Sequence, residues 1–190
     1  MNILVLALYG LSLLTFLLAL SWILIPALYG LPSRPTQPDR IRKALRLVDL
    51  KKGEVLFDLG AGDGRVLFIA AQEFDAEAVG IEVGPVQCAW IRLRIFMGGL
   101  SERVRIKMKN YYKADLGAAD VVFIYATSHE LPKLASHLET QMKPGSRVVS
   151  ISADFPEWEP AAFDDHDLIF TYTMPPREGS LTTYLLKKMN

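Results

Sequence analysis

The 190-residue chain balances 21 Lys and Arg against 21 Asp and Glu, for a formal net charge of zero, and 51% of it is hydrophobic. That balance gives no general reason to expect a nucleic-acid partner, and the single cysteine, Cys88, excludes an intrachain disulfide or a C-x-x-C site. His129, His137 and His166 are scattered without metal-ligand spacing, so no metal is expected.

From Met1 to Ser33 there is no charged side chain, and Ile3 to Leu31 is almost wholly apolar. At ~1.5 Å per residue this run exceeds the ~30 Å hydrocarbon core of a bilayer, so residues 1–31 are expected to form one transmembrane helix. Trp22, Tyr29 and Tyr9 stand where an interfacial ring would help, and Pro26 would kink or loosen the last turn. A secretory signal would bring a basic start, a shorter apolar core and a small-x-small cleavage site. Met1-Asn2 supplies no basic side chain, the core is too long, and Leu24–Gly30 offers no convincing site. Arg34, Arg40, Arg42, Lys43 and Arg46 follow the span, so the positive-inside rule places the C-terminal side in the cytoplasm, at the inner membrane.

Residues 32–38 read as a proline-rich connector, and 39–190 suffice for one α/β domain and not two. Asp39–Leu50 has the pattern of an amphipathic helix with Ile41, Leu45 and Val48 on one face. It packs beside the first strand, rests its basic face on anionic headgroups, or does both. Strand one (54–59), a helix over 65–73, strand two (78–83) and a helix over 85–97 follow, with Pro85 suited to a first turn. Arg103–Lys109 alternates apolar and basic residues, as a half-exposed edge strand would. No aromatic residue interleaves with those basic positions, so a nucleic-acid platform is not expected. Strand four covers 120–125, Thr127-Ser128-His129-Glu130 reads as a capping box, and strand five covers 146–152. Asp167–Thr173 and Thr182–Lys188 are expected to close the sheet as a hairpin. Strands alternating with helices give an α/β fold with a mostly parallel sheet.

The chemistry concentrates at Val55-Leu56-Phe57-Asp58-Leu59-Gly60-Ala61-Gly62-Asp63-Gly64 and at Val79-Gly80-Ile81-Glu82-Val83, two apolar runs that each reach an acid. A dinucleotide fingerprint requires G-x-G-x-x-G; here glycines stand at 60, 62 and 64, and position 65 is arginine. Taken alone, the triplet would also suit a tight strand-to-helix turn. With its flanking elements and the second acid-tipped strand, it resembles the loop of Rossmann-like methyltransferases that use S-adenosylmethionine (SAM). That resemblance implies a seven-stranded sheet in the order 3-2-1-4-5-7-6 with the seventh strand antiparallel. It implies that Gly60, Gly62 and Gly64 pass beneath SAM, that Asp58 orients the loop or reaches the methionine ammonium, and that Glu82 accepts from the ribose hydroxyls.

The apolar N-terminal run, Asp-Leu-Gly-Ala-Gly-Asp-Gly-Arg (58–65), Val79-Gly80-Ile81-Glu82 and Phe155-Pro156-x-Trp158-x-Pro160 together resemble a narrower group. These are the small membrane-anchored protein-lysine methyltransferases that modify the ATP synthase c-ring protein and the adenine nucleotide translocase. The lack of an Arg-rich, Ser-rich leader points to a bacterial-type relative. After strand three the family usually carries an acid; Asn110 stands there, followed by Tyr111 and Tyr112, and its oxygen could accept from the adenine amine. On the acceptor side Tyr125, Ser128 and His129 are candidates, with Phe155 and Trp158 either anchoring a loop to the core or forming a rim that seats an ammonium group. The resemblance implies a protein substrate held at the membrane. A small-molecule or lipid acceptor (a quinone or headgroup amine), or SAM binding without turnover, remains the alternative.

Overall fold

The computed structural model describes residues 2–28, 36–125 and 127–189. Tyr29, Pro32, Arg34 and Pro35 therefore lie outside the described residues, and with them most of the expected connector. Helix α1 (Ile3–Leu28) runs past Pro26 without ending. Its segment Ile3–Ile25 has a mean hydropathy of 2.6, is not covered by the rest of the protein, and is long and apolar enough to cross a membrane. Only its far end meets the domain: Ser21, Trp22 and Ile25 are half-buried, and Gln87 Nε2 donates to the Trp22 carbonyl at 2.7 Å.

Helix α2 (Pro38–Leu47) opens on a proline in its first turn and buries Ile41, Ala44 and Leu45. The packing role is realised, and three of its basic residues bond within the domain. Arg42 pairs with Glu73 and Asp39, Lys43 with Asp164 and Asp167, and Arg40 Nε donates to the Asp167 carbonyl.

The sheet is built from β1 (Val55–Leu59), β2 (Glu77–Glu82), β3 (Val104–Met108), β4 (Val121–Ile124), β5 (Arg147–Ile151), β7 (Ala162–Asp164) and β8 (Ile169–Thr173), in the order β3-β2-β1-β4-β5-β8-β7. A separate ribbon pairs β6 (Trp158–Glu159) with β9 (Arg177–Glu178). Helices α3 (Arg65–Glu73), α4 (Pro85–Met97) and α5 (Leu131–Gln141) cross between parallel strands. Successive strand residues point to opposite faces, so Leu56, Val121 and Phe123 join one core layer with Leu45, Leu67 and Ile91. Phe57, Val122 and Ile124 join the other, with Leu131, Leu138 and Tyr172.

Within the main sheet β7 and β8 are the sixth and seventh strands, and β8 runs antiparallel to both neighbours, so the expected order 3-2-1-4-5-7-6 is realised. The residues of the closing hairpin differ from expectation. Thr182–Lys188 is not a strand but part of helix α6 (Leu181–Met189), started by Ser180, whose Oγ accepts from the Thr183 amide. Its Leu, Lys and Met are good helix formers. Ala162–Asp164 takes the edge position instead, with Phe163 stacked on Phe170 at 4.8 Å between centroids.

Candidate active site

Strand register assembles the site. Leu59 at the end of β1 pairs with Ile81 of β2 on one side and Ile124 of β4 on the other. Gly60 and Tyr125 follow the last paired residues of β1 and β4, and Glu82 closes β2, so all three stand at the carboxyl end of the sheet. Open α/β sheets bind ligands at that end, where the chain order reverses on either side of the first strand.

The loop after β1 is held by its neighbour strand. The amides of Gly60 and Ala61 donate to the Ile81 carbonyl at 2.9 and 3.1 Å. Glu82, 5% exposed, accepts from the Gly62 amide through Oε2 at 2.9 Å and from the Val83 and Gly84 amides through Oε1 at 2.8 Å. Three amides thus fix this carboxylate, and its remaining acceptor capacity points at the loop. Gly62 adopts φ +56 with open space beside it, the nearest atom to an added Cβ being the Gly60 carbonyl oxygen at 3.9 Å. Gly64 adopts φ +81, and a Cβ there would meet Ile91 at 2.9 Å and Phe68 at 3.0 Å. The two glycines serve different needs: Gly62 leaves a bare cradle, and Gly64 lets α3 close on α4.

Asp58 stands beside this cradle, 3% exposed, with no hydrogen-bond partner among the described residues. Burial first, then the neighbouring charges of Glu82 and Asp63, push its carboxyl up to about 8. Orienting the loop therefore falls to Glu82, and Asp58 is left as a buried acid without its cation. An ammonium group and a sulfonium in the cradle would supply the missing charge, and the open space at Gly62 would take the ligand against main chain. The residues fit SAM.

Beyond β3, Asn110 Oδ1 accepts from the Tyr112 amide and caps the turn Tyr111–Lys113. That bond occupies part of the acceptor capacity assigned to adenine. Tyr111, 4% exposed, and Tyr112 both donate their hydroxyls to Glu130 Oε2, with their rings 4.4 Å apart. Burial, with Tyr112 and Glu130 adjacent, holds the Tyr111 phenol well above its ordinary value, and the Tyr112 hydroxyl with Tyr111 keeps Glu130 below the usual carboxylate range. The expected capping box does not form. Glu130 is the residue before α5, it makes no side-chain cap, and its carboxylate is drawn to the two phenols instead. Sequence reading missed Glu130 as a site residue, and the Tyr-Tyr pair after β3 was the only signal that could have found it. Ser128 and His129 are exposed, and Tyr125 is half-buried.

Of the two roles open to Phe155 and Trp158, the structure shows the core anchor. Both are buried, at 1% and 3% exposure, and they stack on each other at 4.1 Å between centroids with Tyr172 edge-on to both. The mutual stacking and the edge of Tyr172 take up much of their ring surface. A cavity of about 680 Å³ does open nearby, lined by Glu139, Trp158, Glu157 and Glu178 among others. Its walls share no residue with the glycine loop, Glu82 or Tyr125.

The sheet order, the glycine loop and the paired acids define a SAM-dependent methyltransferase. The ANTKMT methyltransferase domain model matches residues 58–162, more than half of the chain, and the chain belongs to that family. It is 31% identical over 130 residues to a protein-lysine N-methyltransferase of Saccharolobus islandicus (strain REY15A), covering 68% of this chain and 81% of that protein. It is 30% identical over 123 residues to the adenine nucleotide translocase lysine N-methyltransferase of Mus musculus, covering 65% of this chain and 53% of the relative. Among solved structures, one described as an RNA methyltransferase from Salinibacter ruber in complex with S-adenosyl-L-homocysteine aligns with a TM-score of 0.73 at 32% identity. That alignment covers 77% of this chain and 97% of the other.

Proposed function

We propose that the chain transfers a methyl group from SAM to a lysine of a protein held at the membrane, from a domain tethered by α1. The observation that supports this reading is the carboxylate of Glu82, which holds the Gly62 amide at the carboxyl end of the sheet where β1 and β4 lie side by side. Asp58, Gly60, Gly62, Gly64 and Glu82 would hold SAM, with Asn110 and Tyr111 bordering the adenine side, and Tyr125, Ser128 and His129 would line the acceptor side. The relatives named as lysine methyltransferases support the choice of acceptor.

Bound SAM supplies a methyl already activated by the sulfonium, so the protein has mainly to align and desolvate. Gly62 and the Glu82-fixed loop hold the donor, and Asp58 balances its charge. A lysine acceptor must lose its proton first, because at a pKa of ~10.4 only about one in 2,500 is neutral at pH 7.

The tether reading rests on the length and apolarity of α1. Its end also meets α4 at Gln87, in the first turn after β2, which is the cofactor end of the sheet. A bilayer around α1 would then lie against the active edge, and confinement there raises the effective concentration of a membrane substrate. Incubating membranes with methyl-labelled SAM tests this. Label recovered as methyl-lysine in protein supports the reading. Label in extracted lipid or in RNA would overturn the acceptor, and no label at all would leave a SAM-binding module without turnover.

A further inference from the structure

Helix α4 has two apolar faces. Gln87, Cys88, Ile91 and Ile95 face inward and are buried. At helical spacing on the opposite side stand Val86, Ala89, Trp90, Leu93, Phe96 and Met97. Trp90 is 46% exposed, Leu93 47%, Phe96 79% and Met97 75%, and no polar side chain interrupts this face. Arg92 and Arg94 mark its two borders. An exposed apolar stripe of this extent on a helix needs a cover.

We propose that the outward face of α4 beds into the headgroup–acyl boundary of an anionic bilayer, so that the domain lies on the membrane along α4 as well as hanging from α1. Two observations choose lipid over other covers. The first is continuity: α1 meets α4 through the Gln87–Trp22 hydrogen bond, so the exposed stripe begins where the uncovered apolar surface of α1 arrives. The second is charge. Between Val83 and Ala114 there are seven Arg and Lys residues against the single acid Glu102, in a chain of zero net charge. Arg92, at the border of the stripe, is exposed and makes no ion pair among the described residues, while Lys107 lies over the Phe57 ring on the other face of the sheet. An apolar helix face bordered by an unpaired cation, in a segment of strong positive charge, has the composition of an interfacial helix on anionic lipid.

The arrangement gives the active edge a fixed height. Because α4 follows β2 by two residues, bedding it would hold the Glu82 end of the sheet at the headgroup level. Acceptor lysines just outside the hydrocarbon would be reached, and those on long soluble extensions would not. This step rests on the tether reading for the position of α1, but the α4 face can be tested separately.

The full chain is reconstituted in vesicles of phosphatidylcholine and phosphatidylglycerol, with or without bromine on the acyl chains, and tryptophan emission is read. The Trp22→Phe variant reports Trp90 over the buried background of Trp158, and Trp90→Phe reports Trp22 over the same background. Loss of Trp90 emission in brominated vesicles, reversed by Leu93→Lys with Phe96→Lys in a protein that still binds SAM, is the expected result. Trp22 quenched with Trp90 untouched would overturn the docking face and leave the span intact. Trp90 quenched with Trp22 untouched would uphold the face and remove the span. If neither is quenched, both readings fall. Trp90 unquenched by lipid but shielded from acrylamide by a second copy, or by added RNA, would overturn the proposal in favour of that cover.

Discussion

Glu82 Oε2 accepts a hydrogen bond from the Gly62 amide at 2.9 Å, which makes the acid at the tip of β2 the strut that shapes the loop after β1. Glu82→Ala removes that strut and any acceptor for a ribose hydroxyl together. A hydrogen bond to a charged group is worth about 1.5–3 kcal/mol, roughly a ten- to hundred-fold loss in SAM affinity by calorimetry. Glu82→Gln keeps one acceptor oxygen and is expected to fall between Ala and wild type. Equal affinity in all three would remove Glu82 from the site.

Asp58 gives the site a pH signature. Folded, its carboxyl sits at about 8 because of burial and then the charges of Glu82 and Asp63. A carboxyl whose folded value exceeds its unfolded value binds more protons in the folded state. The free protein therefore loses stability as pH rises from the ordinary carboxylate range towards about 8. A cationic ligand reverses the trend by favouring the ionised form, so SAM binding at pH 7 should release close to one proton and tighten as pH climbs towards 8. Calorimetry in buffers of differing ionisation enthalpy measures that proton directly. Asp58→Asn should release none, and a wild type that releases none would contradict the assignment.

The glycines separate by what they face. Alanine at either Gly62 or Gly64 costs about 1–2 kcal/mol for a left-handed backbone. At Gly64 the new Cβ also meets Ile91 and Phe68, which adds about 1–3 kcal/mol of overpacking. Gly64→Ala should thus melt well below Gly62→Ala. Gly62→Arg should melt near Gly62→Ala, since the side chain enters open space, yet lose SAM binding because that space is the cradle. Equal melting temperatures for the two alanine variants would refute the division.

Glu130 tests the polar cluster beyond β3. Glu130→Leu strands the buried Tyr111 hydroxyl, which should cost about 1–3 kcal/mol in urea unfolding. Tyr112→Phe should cost less, because Tyr111 still satisfies Glu130 and Tyr112 is half-exposed. The reverse order would mean that the cluster does not stabilise the fold as its geometry implies.

What sequence could carry was local. Leu56-Phe57-Asp58 and Val79-Gly80-Ile81-Glu82 are continuous apolar runs ending in acids, and such runs fix buried parallel strands with little help from elsewhere. The failures each needed a tertiary partner to be seen. Thr182–Lys188 sets three strand-favouring residues (Thr182, Thr183, Tyr184) before four helix formers, and Ser180 and the place of Ala162–Asp164 on the sheet edge go with the helix. Glu130 matched a capping box until Tyr111 and Tyr112, distant in sequence, offered better partners. Phe155 and Trp158 are as suitable for a rim as for a core, and only Tyr172 packing against both assigns them to the core. The outward face of α4 was hidden because apolar residues stand on both sides of the helix, and only the packed fold tells the covered side from the bare one.

The central claim is methyl transfer to a lysine of a membrane-held protein. Peptide mass spectrometry should therefore be run on membranes from cells producing either the wild-type chain or Gly62→Arg. The account predicts a methylated lysine, close to a membrane-spanning segment of its protein, that is present with the wild type and missing with the variant. Identical lysine methylation in the two membrane preparations, with the wild type shown to be inserted and binding SAM, would contradict it.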